Sequence, residues 1–130
     1  MDYVKINGVS YDVLVTDVVE YFNILYSENT GRNIDGKMIL DPLGRFIGHK
    51  VTFARKNGKE DQYDNLFMEL GKPVENGISV EIVHNQGVLK YDAYVSQGER
   101  NLQRISNENG KVFWGAFTAN FIPIGAHEDE

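Results

Sequence analysis

Residues 60–73 read EDQYDNLFMELGKP, the clearest helical signal in the chain. Tyr63, Leu66, Phe67 and Leu70 fall at i, i+3, i+4 and i+7, which sets them in one apolar stripe at helical period. Asp61 and Asp64 put negative charge in the opening turn, where it suits the positive end of the helix dipole. Gly71 can adopt the left-handed conformation that closes a helix, and Pro73 cannot continue one. The pattern predicts one short helix over about residues 61–71. Strand-like sequence lies on both sides, so this helix must lie on a sheet, stripe inward, with Glu69 and Lys72 in water.

Toward the N-terminus, Val4-Lys5-Ile6 and residues 9–13 flank Asn7-Gly8, a type I′ hairpin signal. Residues 16–26, TDVVEYFNILY, support two readings. Asp17 and Glu20 have the spacing of a capping box, which would start a helix. Val, Tyr, Phe and Ile favour a strand, and the strand reading is preferred. It puts Val19, Tyr21, Asn23 and Leu25 on one face and Val18, Glu20, Phe22, Ile24 and Tyr26 on the other. A strand so apolar on both faces needs cover from a second layer or a neighbouring subunit. Residues 27–43, SENTGRNIDGKMILDPL, hold too many turn formers for regular structure, yet Ile34, Met38, Ile39 and Leu40 are too apolar for a solvated loop. An arm or long hairpin that docks on something reconciles the two. A strand follows over 45–55, with Gly48 as its bulge or bend.

Past the helix, Asn76-Gly77 opens a second hairpin. Residues 78–82 alternate, Gln86-Gly87 turns, and residues 89–95 alternate back. Residues 112–124, VFWGAFTANFIPI, are the most apolar strand, expected to be central and covered on both sides. The closing residues 126–130 form an acidic tail. The expectation is a single β-rich domain over 1–125, a sandwich or barrel-like pair of packed antiparallel sheets with one flanking helix, and an arm at 27–43.

The composition, 42% hydrophobic and 25% charged, is that of an ordinary folded domain. The chain has no cysteine, which removes disulfides, thiolate metal sites and a cysteine nucleophile. No apolar run is long enough for a membrane helix, and the first residues lack the pattern of a signal peptide. A net charge of −6 opposes specific grip on a phosphate backbone, although it allows DNA to slide past without sticking. His49, His84 and His127 have no metal-ligand spacing and read as surface or strand-edge residues. Asp12, Asp17 and Glu20 read as exposed strand or cap positions, and Ser10, Ser27, Ser79, Ser96 and Ser106 lie in no nucleophile motif. Residues 31–36, GRNIDG, lack the Lys-Ser/Thr of a phosphate loop, and Arg32 and Asp35 can pair across that turn. Phe22, Phe53, Phe67, Trp114 and Phe121 suit a core, whereas Tyr21, Tyr26 and Tyr94 suit an interface. No catalytic, cofactor or metal residue is expected.

In their order, NGVSYDV, LYSENTGRNIDGKM, LGRFIG, KVTF, the helix with Tyr63, Leu66 and Phe67, KPVENGISVEI and VFWGAFTANFIP resemble small structural proteins encoded in the tail-morphogenesis region of phages and prophages of Gram-positive bacteria. The resemblance runs over nearly the whole chain and contains no catalytic motif. It implies a non-enzymatic virion component with a tail-tube-like fold: two packed sheets, a helix on the flank and a long loop reaching a neighbouring subunit. The chain is short for a principal tube protein, so a distal-tail, tail-tip or connector ring fits equally. The partners implied are further copies of the chain and other tail proteins, with DNA passing through an acidic lumen, in a virion assembled in the bacterial host cytoplasm. The candidate intersubunit residues are Tyr21, Tyr26, Arg32, Ile34, Asp35, Met38, Ile39 and Leu40. Two rivals stand beside this reading: a head–tail connector or tail-completion protein, and a monomeric β-sandwich binding module with a ligand groove beside the helix.

Overall fold

A computed structural model describes residues 4–28 and 30–125. Over these residues the fold is mainly β, with one helix. In order it runs β1 (Val4–Ile6), β2 (Leu14–Tyr26), β3 (Gly31–Arg32), β4 (Met38–Ile39), β5 (Pro42–Ala54), α1 (Glu60–Leu70), β6 (Ile78–His84), β7 (Gly87–Tyr94), β8 (Leu102–Ile105), β9 (Val112–Trp114) and β10 (Phe117–Pro123). Six strands form one antiparallel sheet in the order β1-β6-β7-β10-β5-β2, and β3-β4 and β8-β9 form small hairpins. The ambiguous segment is therefore a strand, and a long one.

The large sheet has two halves hinged on β10. Residues 117–121 pair with β5, and Ile122 and Pro123 pair with β7. This change of partner gives the sandwich-like arrangement expected from the alternating strands. Side chains that alternate inward along each strand meet on one face: Val51 and Phe53 of β5, Val80 and Ile82 of β6, Tyr91 and Ala93 of β7, and Phe117, Ala119 and Phe121 of β10. The helix closes that face with Tyr63, Leu66 and Leu70, and Phe67 packs at its margin. Phe53 and Phe117 lie 5.4 Å apart between ring centroids, and Tyr63 and Phe67 meet Phe117 edge-on.

Several expectations are corrected. Asn7 and Gly8 form the left-handed turn, with φ of 51° and 79°, but only Val9 bridges back to Ile6. β1 takes β6 as its partner instead, where Val4 faces Ile82 and the Asn7 side chain accepts the Ser79 amide. Residues 10–13 therefore run free of strand pairing while Tyr11 and Val13 pack on the core. Gly71 stays right-handed, with φ of −85°, and the helix ends as its amide bonds the Phe67 carbonyl. The second hairpin turns on Asn85-Gln86, one residue earlier than read, because Asn85 takes the left-handed position. Gly48 makes no bulge: the Tyr21 ring lies across it and fills the space of a Cβ. The bulges fall instead between Val15 and Asp17 and between Leu25 and Tyr26.

The last strand is also not covered on both sides. It breaks at Gly115-Ala116, and the face bearing Thr118 and Asn120 carries polar partners such as Lys50 and Thr52 rather than a second layer. The acidic tail at 126–130, including His127, lies outside the described residues.

The polar stretch before β8 is tied down by Arg100. Its guanidinium lies 4.4 Å from the Phe67 ring centroid and 4.3 Å from that of Trp114, and it donates to Asp64 Oδ1 at 2.8 Å. Asp64 thus serves the helix flank rather than its first turn, which is acidic through Glu60 and Asp61. Arg100→Ala is expected to lower stability by about 1–2 kcal/mol in denaturant unfolding, from lost stacking and lost cover of the aromatic rings. Arg100→Lys should recover only part of this, since an ammonium does not stack as a planar guanidinium does.

Candidate assembly surface

The longest pairing in the molecule joins β2 to β5, from Leu14 opposite Ala54 to Tyr26 opposite Pro42. β10 accompanies β5 only from Phe53 to His49 and then crosses to β7. From Gly48 outward, the pair continues as a two-stranded ribbon of roughly 20 Å before the arm begins. Residues opposite one another share a face. Phe22 and Ile24 thus extend the core-facing row of Ile47 and His49 beyond the reach of the helix and the other strands. Ile47 is still buried, whereas Phe22 is 65% exposed. Phe22 is therefore no core residue, contrary to the expectation for an aromatic in so apolar a strand. The core ends one turn of the pleat before it.

The arm is braced by bonds across its own backbone. Ser27 and Asp41 bond across its base, Thr30 Oγ1 accepts the Asp41 amide at 2.9 Å, and Gly31 and Arg32 pair with Ile39 and Met38. At the tip Asn33 Oδ1 accepts the amides of Asp35 and Lys37 at 3.1 and 3.0 Å, and Gly36 turns with a φ of 81°. The Arg32 guanidinium bonds the Gly36 carbonyl at 2.9 Å, in place of the Asp35 carboxylate that the turn had suggested. A short hairpin so fixed keeps its shape and turns its side chains outward.

Those side chains are apolar. Ile34 is fully exposed, and Tyr26, Met38, Ile39, Leu40 and Leu43 are each at least two-fifths exposed, as are Ile24 and Leu25 on the ribbon. The structure thus groups six of the candidate residues, Tyr26, Arg32, Ile34, Met38, Ile39 and Leu40, on one projection, with Asp35 at its tip. Tyr21 is used inside the fold: its hydroxyl donates to Asn120 Oδ1 at 2.8 Å. Sequence reasoning missed Phe22, Ile24, Leu25 and Leu43. Their apolar character was legible, but which strand neighbours stop short of them was not.

A second arrangement at the root of the ribbon also escaped the sequence. His49 is fully buried rather than at a surface or edge. Its Nδ1 meets the Tyr91 hydroxyl at 2.8 Å and its Nε2 meets Glu20 Oε2 at 2.7 Å; His84 Nδ1 meets the same oxygen at 2.7 Å. Glu20 is thus no cap but an exposed strand residue, as read, whose carboxylate is engaged by both histidines. Burial alone would raise its carboxyl, but the bonds from His84 and His49 outweigh that and hold it below the usual carboxylate value. For His49, burial dominates and pushes the imidazole below its ordinary value against the pull of Glu20. Burial also raises the Tyr91 hydroxyl, helped by Tyr21 and Glu20, so it stays protonated as a donor.

Two clefts open elsewhere among the described residues. One of about 370 Å³ lies beside the helix between Phe67, Pro73, Val95 and Phe117. The other, about 390 Å³, lies under the ribbon root between Glu20, Phe22, Arg45, Ile47 and His84. Among the described residues no group of His, Asp or Glu is arranged to hold a metal ion, and no helix is long and apolar enough to cross a membrane. No protein-family model and no curated protein matches the chain, so the role of this surface is argued from its own residues.

Proposed function

We propose that the chain is a non-enzymatic structural subunit that assembles with copies of itself into a ring or tube, seating its ribbon and arm on the neighbouring copy. The observation that carries this reading is the contiguous apolar projection from Phe22 and Ile24 through Ile34 to Leu43. Soluble monomers rarely leave so much apolar side chain grouped in water. The arm is already braced by bonds within itself, so ordering it on binding costs less and its apolar side chains are free to contribute to contact. A patch on one projection that meets a different surface of the next subunit generates a closed ring or an open stack.

The resemblance to tail proteins of phages and prophages of Gram-positive bacteria supplies the setting. The assembly is a virion tail component, a tail tube, distal-tail or tail-tip ring made in the host cytoplasm. It contacts other tail proteins, and its acidic balance suits a lumen through which DNA passes without specific binding.

The test is solution mass over a concentration series, with negative-stain images of the largest species. The wild-type chain should form rings or stacks. Deleting residues 29–39 should leave a folded monomer, because Ser27 and Asp41 already face each other across the base and the core lies elsewhere. Rings formed by the deletion variant would exclude the arm as the contact. A wild-type chain that stays monomeric at every concentration would favour either a connector that needs a template or a binding module using the cleft beside the helix.

A further inference from the structure

The side chains at the ribbon root make one connected path across four strands. With Glu20 ionised and both imidazoles neutral, each contact has one donor and one acceptor. Tyr91 O–H donates to His49 Nδ1, and His49 Nε2–H donates to Glu20 Oε2. His84 Nδ1–H donates to the same oxygen, while His84 Nε2 accepts from the Asn85 amide at 3.3 Å. The position of this path matters. Glu20 lies on β2 and His84 at the end of β6, strands that are not neighbours in the sheet. Their bond spans the open mouth of the fold. His49 stands opposite Phe121, the last pair between β5 and β10 before β10 leaves for β7. The path is therefore a tie between body and ribbon at the fork where the two separate.

We propose that Glu20, His49, His84 and Tyr91 form a proton-released latch, closed while Glu20 is ionised and His49 is neutral and opened by acid, that fixes the ribbon to the body. As a control of assembly this rests on the self-assembly reading; as a property of the fold it does not.

The chemistry runs in one direction. A proton on Glu20 removes the acceptor that both histidines share. A proton on His49 puts charge into a fully buried site and forces the Tyr91 hydroxyl to reverse its bond. Glu20 is the one anionic side chain among the residues lining the adjoining cleft, and Arg45 is a fixed cation there. Tyr21 and Tyr91 remain neutral. Because His49 is held below its ordinary value of 6.5, the unfolded or opened state takes up the proton first, and the latch's stabilisation is lost as the pH falls below that value. Glu20, also held low, acts in the same sense further down the scale.

The experiment is amide hydrogen exchange on dilute, monomeric protein at about pH 7.5 and about pH 5.5, corrected for the intrinsic pH dependence of exchange. Amides of residues 20–25 and 43–48 should change little down to about pH 6.5 and open about tenfold more for each unit the pH falls below it. Those of Val80 and Ile82 in the core should hold. Glu20→Gln keeps an accepting oxygen but removes the charge that draws a proton to His49, so the response should stay at least as steep while ribbon protection falls at both pH values. His84→Gln, at a partly buried strand end, should leave the ribbon less protected at the higher pH and keeps the test open if Glu20→Gln does not fold. Equal ribbon protection at both pH values, a flattened response in Glu20→Gln, or loss of ribbon and core protection together would each overturn the latch. Assembly is not read in this experiment, so its failure and the failure of the self-assembly reading appear separately.

Discussion

Phe53→Ala should lower the stability of the chain by about 3–5 kcal/mol, the cost of emptying a large aromatic site in a core. Phe53 is 1% exposed, and its ring meets Phe117 at 5.4 Å and Phe121 at 6.5 Å. Those two rings are held by the backbone pairing of β5 with β10, so they cannot close on the gap without breaking register. In a chain of this size the loss corresponds to a melting temperature lower by roughly 10–20 °C. Calorimetry or urea unfolding reads it directly. The informative control is the same residue type further along the same hairpin. Phe22→Ala should alter stability by less than about 0.5 kcal/mol, as expected for an exposed side chain. The same variant should weaken assembly. A Phe22→Ala chain as unstable as Phe53→Ala would mean that the ribbon folds back onto the body.

Gly77→Ala should cost roughly 2–5 kcal/mol, from a left-handed backbone and from overpacking. Gly77 has a φ of +77°, and a Cβ there would run into the Ala93 carbonyl and the Ile124 side chain. The carbonyl belongs to β7, so relief requires that β6 and β7 separate at their first pair, Ile78 with Ala93. Gly58 isolates the two contributions. It has a φ of +82° with open space around the missing Cβ, so Gly58→Ala should show the conformational cost alone, about 1–2 kcal/mol. If both variants unfold at the same denaturant concentration, the clash at Gly77 is relieved without cost.

What was legible in the sequence was whatever depends on near neighbours along the chain. The helix stripe of Tyr63, Leu66 and Leu70 is periodic within eight residues, and it is buried as read. The alternation of β6 and β7 likewise needs only local pattern, and the one-residue error at their turn came from overlooking Asn85 as a residue that tolerates the left-handed region. What was not legible depends on distant partners. Asn7-Gly8 turned as expected, but whether residues 9–13 or β6 would pair with β1 is decided seventy-odd residues away. Gly48 reads as a flexible point until the register places Tyr21 opposite it. His49, within IGHKV, reads as polar strand decoration. Only the folded sheet brings Glu20, Tyr91 and His84 to its two ring nitrogens and their shared carboxylate. In the candidate surface the apolar arm residues were found from composition alone. The ribbon residues were missed because their exposure comes from where β10 stops.

The change of partner by β10 also has a mechanical meaning. A pull along the ribbon is carried into the body by β5, which is held to β10 over five consecutive pairs from Phe53 to His49. Load along the strand axis strains those pairs in shear, all at once, so they resist as a set. A sideways push at the arm meets only two strands with no layer behind them. The projection is therefore stiff in tension and compliant in bending, the behaviour of a tether rather than of a strut.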